Sequence, residues 1–232
     1  MSKRNKSQGA SAQKEEEVKI VKAIPRNEEQ RFALQTIDKN IVTFLEGQTG
    51  GGKTHCAIAY GLQMLLRGQY ERIILTKPIV EACGEEAIGL LPGTLADKVE
   101  VYTESLFDIF YKYLSPATIN NFIIEKKIVV KPLSYLRGCT FSDAYCILDE
   151  AQNATIKQLH LFLTRIGEGT KVVITGDACQ SDIRNSGFSD IINVLEGVAG
   201  IATVTFTELS SSRHPVVIEI DKRIKEFKAR NS

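Results

Sequence analysis

Eight residues, Gly47-Gln48-Thr49-Gly50-Gly51-Gly52-Lys53-Thr54, bring four glycines, a lysine and a threonine together in the pattern G-x-x-x-x-G-K-[ST]. Glycines let successive backbone N–H groups turn inward around an anion. Lys53 can then reach the β- and γ-phosphates of a nucleotide, and the Thr54 hydroxyl can ligate Mg2+. The pattern carries this meaning only when a strand precedes it and a helix follows, because the helix N-terminus adds its own positive end. Both are expected here: Ile41–Leu45 is a β-type apolar run, and Lys53 to Leu66 is helical, stopped by Gly68. A glycine-rich turn before a helix is the plain alternative, and that context argues against it.

Three more segments could complete such a site. The apolar run Ala144-Tyr145-Cys146-Ile147-Leu148 ends in Asp149-Glu150-Ala151-Gln152. Asp149 can hold the hydration shell of Mg2+ and Glu150 can orient an attacking water; otherwise the two acids simply favour a helix N-terminus. Val172–Ile174 leads into Thr175-Gly176-Asp177-Ala178-Cys179-Gln180, where Gln180 would report a γ-phosphate or Gly176-Asp177 would merely make a turn. Upstream, Asn27-Glu28-Glu29-Gln30 has two readings. Asn27 is an N-cap to which Gln30 bonds back, or the Gln30 amide reads an adenine edge with its paired donor and acceptor.

The elements that position these residues alternate. Near-continuous apolar runs at Ile41–Leu45, Ile73–Leu75, Ile128–Val130, Ala144–Leu148, Val172–Ile174 and Val204–Phe206 suit strands buried on both faces of a parallel sheet. Helices are expected from near Asn27, carrying Phe32, Leu34 and Ile37, and over Lys53–Leu66, Thr94–Tyr113, Thr155–Ile166 and Pro215–Phe227. Thr94 and Asp97 have capping-box spacing, and Leu95, Val99, Tyr102, Leu106, Ile109 and Tyr113 form one face. Val217, Ile220, Ile224 and Phe227 do the same in the last helix. The alternation argues a doubly wound, three-layer α/β fold, whose ligands sit at the carboxyl ends of the strands. The four segments fall there.

The 232 residues suit one α/β domain, with residues 1–18 as a disordered polar tail and 19–232 as the folded unit. No apolar run is long enough to span a membrane, and the N-terminus lacks the apolar core of a signal peptide, so a cytoplasmic location is expected. Five cysteines without zinc spacing read as reduced, mostly buried thiols. The net charge of +1 gives nucleic acid no global electrostatic support, so such binding would depend on local patches.

The segments together resemble the PhoH-like family of P-loop ATPases, related to the first motor domain of superfamily 1 helicases. The likeness runs from about Pro25 to Phe227. It includes Lys77-Pro78-Ile79-Val80-Glu81-Ala82, Leu90-Leu91-Pro92-Gly93, Ser134-Tyr135-Leu136-Arg137-Gly138, Ile147 to Asn153, Phe162 to Gly167, Thr175-Gly176-Asp177 with Gln180, and Arg213-His214-Pro215. The resemblance implies a RecA-like P-loop NTPase fold with a mostly parallel sheet, an ATP and Mg2+ site, and a nucleotide set of Gln30, Gly47, Gln48, Thr49, Gly50, Gly51, Gly52, Lys53 and Thr54. Thr54 and Asp149 would hold the metal, and Lys53, Glu150, Gln180 and Arg213 would serve catalysis, with Arg213 as an arginine finger and Arg137 or Arg165 as rivals. Gly51 stands where the family commonly has a bulkier residue, without harm to phosphate binding. It also implies that single-stranded RNA or DNA passes Thr76 to Ala82.

No second motor domain is expected after this core, and a lone core is not expected to unwind a duplex. A homo-oligomeric ring, most simply a hexamer with the finger given in trans, is the expected assembly. The leading function is an ATP-hydrolysing translocase or remodeller of nucleic acid; the alternative is an ATP-driven interaction switch that never touches it.

Overall fold

The computed structural model describes residues 22–79 and 104–207, with the helical positions 216, 217, 219, 220, 223, 224 and 227 beyond them. Helix α1 (Glu28–Lys39) starts where the Asn27 side chain accepts the Gln30 N–H, and its first turn carries Glu28 and Glu29, the charge a helix N-terminus favours. Strand β1 (Val42–Gly47) enters the glycine-rich loop, and α2 (Lys53–Leu66) leaves it. Then come β2 (Arg72–Thr76) and a helix α3 over residues 104–110. After them lie α4 (Pro116–Ile124), β3 (Ile128–Val130), β4 (Ala144–Leu148), α5 (Ile156–Leu163), β5 (Lys171–Gly176), α6 (Phe188–Val194) and β6 (Ile201–Phe206). Short 3-10 turns at Leu133–Leu136, Ala151–Asn153 and Ala178–Gln180 follow the carboxyl ends of β3, β4 and β5.

Among the described residues, six strands run parallel in the order β3-β2-β4-β5-β1-β6. Alternate residues of β1, β2, β4 and β5 enter two cores. Leu45, Leu75, Tyr145, Ile147 and Val173 pack against α1 to α4, through Ile37, Leu62, Phe110 and Ile119. Phe44, Ile74, Cys146, Leu148 and Ile174 pack on the other face against α5 and α6, through Leu159, Phe162, Phe188 and Ile191. Burial on both faces is why these four strands are near-continuously apolar, whereas the edge strand β6 departs from the expectation and alternates, with Val204 and Phe206 buried and Thr203 and Thr205 exposed. The expected three-layer α/β architecture is what forms. Among the described residues, no helix is long and apolar enough to cross a membrane.

The other differences from expectation lie in the helices. Two were not anticipated. In α4, Ser115 caps and Pro116 starts the helix, but Ile123 and Ile124 are exposed, which blurs its apolar period. Helix α6 spans seven residues, too few to show a period. The helix expected over Thr155–Ile166 narrows to Ile156–Leu163, because Thr155 is its cap and forms a capping box with Gln158. In α1 the buried face is Gln30, Ala33, Thr36 and Ile37, and Phe32 points outward at 58% exposure. The Thr94–Asp97 spacing lies outside the described residues; the end of that helix is seen, with Leu106 and Phe110 in the core. Cys56 and Cys146 are buried thiols as expected, whereas Cys179 is exposed.

Candidate functional site

The carboxyl ends of β1, β4 and β5 surround a cleft of about 260 Å3 lined by the loop residues Thr49, Gly50, Gly52, Lys53 and Thr54 and by Asp149, Glu150, Thr175, Gly176 and Asp177. His55, Ile109 and Lys112 form its remaining wall. The loop bends through two tight places. Gly47 has φ +118° and sits so close to β6 that a Cβ would lie 2.1 Å from the Phe206 carbonyl oxygen. Gly52 has φ +88°, and its Cβ would lie 2.6 Å from the Gln30 amide nitrogen. Both positions demand glycine on backbone conformation and space together.

Lys53 is 8% exposed and donates from Nζ to the Gly47 and Gln48 carbonyls at 2.6 and 2.8 Å, which folds its ammonium into the loop. Thr54 Oγ1 donates to Asp149 Oδ1 at 2.8 Å, and Thr175 Oγ1 donates to the same oxygen. The threonine that ends the loop and the acid that ends β4 therefore face one another, 95 positions apart in the chain. Two hard oxygens side by side at a phosphate cradle suit Mg2+, which takes few protein ligands and completes its shell with water and phosphate. Among the described residues, no group of three or more His, Cys, Asp or Glu side chains is placed to hold a metal by itself.

Glu150 takes a left-handed backbone conformation, φ +53°, just past Asp149, the residue that follows β4. A non-glycine residue there costs on the order of 1–2 kcal/mol, and it re-aims the Glu150 side chain into the cleft. Gln152 holds it: its Nε2 donates to Glu150 Oε2 at 2.6 Å while its Oε1 accepts the Asp177 N–H at 3.0 Å. Asp177 Oδ2 in turn accepts from the Thr49 N–H, and the single Thr49 hydroxyl hydrogen is shared between Asp177 Oδ2 at 3.2 Å and Gln180 Oε1 at 2.8 Å. One polar chain thus runs from the β4 acid to the tip of the loop.

Gln30 is 3% exposed and uses both ends of its amide inside the protein. Its Oε1 accepts the Arg26 N–H at 2.9 Å, and its Nε2 donates to the Gly51 carbonyl at 2.9 Å. Asn27 is the N-cap, but Gln30 reaches the N–H before it and not the cap residue itself, so the reciprocal capping bond does not form. His55 bonds the Tyr113 hydroxyl through Nε2 at 2.9 Å, which pins the end of the α3 segment to the start of α2. Burial first, then the Arg26 and Lys112 cations, hold its imidazole below the ordinary value.

The structure brings Gln30, all eight loop residues, Asp149, Glu150 and Gln180 to one region. Arg213 lies outside the described residues. Arg137 and Arg165 are not among the residues that line the cleft. Sequence reasoning missed Gln152, Thr175, Asp177, His55 and Lys112. Polar residues beside the two strand-end motifs were the available signal for the first three; the last two reach the cleft only through packing of α3 on α2.

A parallel sheet in this order, with a G-x-x-x-x-G-K-T loop after β1 and paired acids after β4, defines a RecA-like P-loop NTPase core. A model of the PhoH-like protein family matches residues 22–225, and the chain belongs to that family. It is 41% identical over 199 residues to a PhoH-like protein of Mycobacterium tuberculosis (strain ATCC 25618 / H37Rv), covering 84% of this chain and 56% of that one. It is 35% identical over 188 residues to Protein PhoH of Escherichia coli (strain K12), covering 79% and 52%. The chain thus spans little more than half the length of these relatives. Among solved structures, the large terminase of a thermophilic bacteriophage, in complex with ADP, superposes with a TM-score of 0.52 over 86% of this chain and 50% of that one, at 12% identity. That likeness concerns the fold.

Proposed function

We propose that this core binds ATP with Mg2+, hydrolyses it, and uses the cycle on single-stranded nucleic acid as part of a homo-oligomeric ring. The observation that carries the reading is the meeting of Thr54 and Asp149 at 2.8 Å beside Lys53 and Glu150 in one cleft. A phage terminase of like fold was solved in complex with ADP, in keeping with a nucleotide as the ligand of such a core.

In this reading the loop N–H groups and the Lys53 ammonium bind the β- and γ-phosphates. Thr54 and Asp149 hold Mg2+, whose charge would offset that of the phosphates and of the departing oxygen. Glu150, aimed by its backbone and steadied by Gln152, positions water for attack on the γ-phosphorus. Gln180, tied to the loop through Thr49, senses whether a γ-phosphate is present. No arginine lines the cleft among the described residues. A finger supplied by a neighbouring copy fits that gap, with Arg213 as first choice, and such cations contribute about 10³–10⁵ in rate.

Phosphate release by wild type, Lys53→Ala and Glu150→Gln, with and without single-stranded RNA and DNA, tests the scheme. Lys53→Ala should bind ATP weakly and not hydrolyse it. Glu150→Gln should bind normally and turn over slower by orders of magnitude; a normal rate would remove Glu150 as the water-positioning group. Mixing Arg213→Ala with Lys53→Ala chains should restore activity if the finger acts in trans, and a full-rate monomer in light scattering with ATP sinks the ring. The net charge of +1 favours a second reading, an interaction switch without nucleic acid; an ATPase indifferent to every oligonucleotide selects it.

A further inference from the structure

Beside the acid-bearing strand β4, the sheet continues to β2 and then to its edge strand β3, and the two chain exits there are stitched together. The Lys131 N–H donates to the Leu75 carbonyl at 2.9 Å, and the Leu133 N–H to the Lys77 carbonyl at 3.4 Å. Leu133 and Leu136 are buried and anchor the 3-10 turn that follows β3. Between and after these anchors the chain turns its side chains outward: Tyr135 is 56% exposed, and Ser134 and Arg137 are exposed with it. Ile79 adds an apolar contact at 40% exposure. The Phe141 N–H donates to the Arg165 carbonyl, which braces the segment from behind.

The charge is one-sided. Residues 77–79 and 131–142 contain Lys77, Lys131 and Arg137 and no carboxylate, in a chain whose overall balance is +1. An exposed aromatic ring on a buried base, lying in the chain between Lys131 and Arg137, offers the two elements that grip a single strand: charge for the backbone phosphates and a face on which a base stacks. An acidic peptide would use the cations but has no use for the ring. We infer that Lys77, Lys131, Tyr135 and Arg137 form a contact surface for single-stranded nucleic acid, at the strand ends adjoining Asp149 and Glu150, with Tyr135 stacking on a base.

The surface rests on the nucleic-acid part of the proposed function, and the test separates the two. Fluorescence anisotropy with labelled oligo(U) and oligo(dT), on the full chain with a non-hydrolysable ATP analogue and across a salt series, reads binding directly. Three phosphate contacts give a log–log salt slope of about −2 for single strands. Tyr135→Ala should weaken binding about 10- to 100-fold with basal ATP turnover unchanged, and Tyr135→Phe should restore it. Lys131→Gln and Arg137→Gln should each make the slope shallower by about 0.7. Wild-type binding left unchanged in all these variants overturns this surface and leaves the functional reading standing. Absence of oligonucleotide binding by wild type at low salt, with hydrolysis intact, overturns both. Equal competition by a polyglutamate peptide, with Tyr135→Ala without effect, overturns the surface in favour of a general polyanion patch.

Discussion

Thr49 and Asp177 stand 128 positions apart in the chain, yet one oxygen of the Asp177 carboxylate accepts both the backbone N–H of Thr49, at 3.1 Å, and its hydroxyl, at 3.2 Å. The tip of the phosphate loop is therefore held by the turn after β5, not by its own glycines. Asp177→Ala should loosen that tip. Hydrogen bonds to charged groups contribute about 1.5–3 kcal/mol, so kcat/KM for ATP should fall about 10- to 100-fold. Steady-state kinetics alongside thermal melting checks this: a lower Tm with unchanged kcat/KM would assign the contact to folding alone.

Gln30 offers a sharper choice. Its amide ties the Arg26 N–H to the Gly51 carbonyl, so it supports the loop from below. Gln30→Ala should weaken ATP and GTP alike and leave α1 capped by Asn27. Titration with both nucleotides decides: a selective loss for ATP would give the amide to the adenine edge instead.

Gly61 in α2 faces the ring of Tyr145, which is fully buried and donates its hydroxyl to the Ala57 carbonyl at 3.0 Å. A Cβ at Gly61 would lie 2.4 Å from that ring. Overpacking of this kind costs about 1–3 kcal/mol, against about 1 kcal/mol gained in helix propensity from Gly to Ala. Gly61→Ala should lower Tm, and adding Tyr145→Leu should recover part of the loss; a higher Tm for Gly61→Ala alone would show that the ring shifts freely.

His55 links stability to pH. Its imidazole is held below the ordinary 6.5 by burial and by Arg26 and Lys112, so unfolding lets it take up a proton that the folded chain refuses. Above 6.5 both states are neutral and the residue adds no pH dependence. As pH falls below 6.5 toward the lowered folded value, the unfolded state gains protons and stability drops. Wild type should therefore lose more Tm between about pH 7.5 and about pH 5.5 than His55→Gln. Equal losses would mean that carboxylates elsewhere account for the whole slope.

Much of this site could be read before any coordinates. The Gly47–Thr54 loop and the Asp149-Glu150 pair are contiguous, and their chemistry depends on neighbours in sequence. The central strands announced themselves because both faces of Ala144–Leu148 and of β1, β2 and β5 are buried. Residues whose role depends on a distant partner did not. Nothing near Gln152 says that its amide will span Glu150 and the Asp177 N–H, 25 positions further on. Gln30 was ambiguous for the same reason, since its partner at Gly51 lies 21 residues away. Phe32 misled, because an aromatic residue in a helix suggests a core and this one faces water.

The placement of β1 has a consequence for the order in which the protein comes into being. Its two neighbours are β5 and β6, with Val42 opposite Val172 on one side and Ile201 on the other. A chain emerging from the ribosome as far as Thr170 displays the whole cradle sequence and both acids, but neither strand that flanks β1. Pairings this distant form late and slowly. Nucleotide affinity should then be absent from a fragment of residues 1–170 and present once Phe206 has emerged. Protection by ATP against protease, followed along a series of truncations, should rise in one step between those lengths, so that ATP stabilises only chains that have already delivered β6.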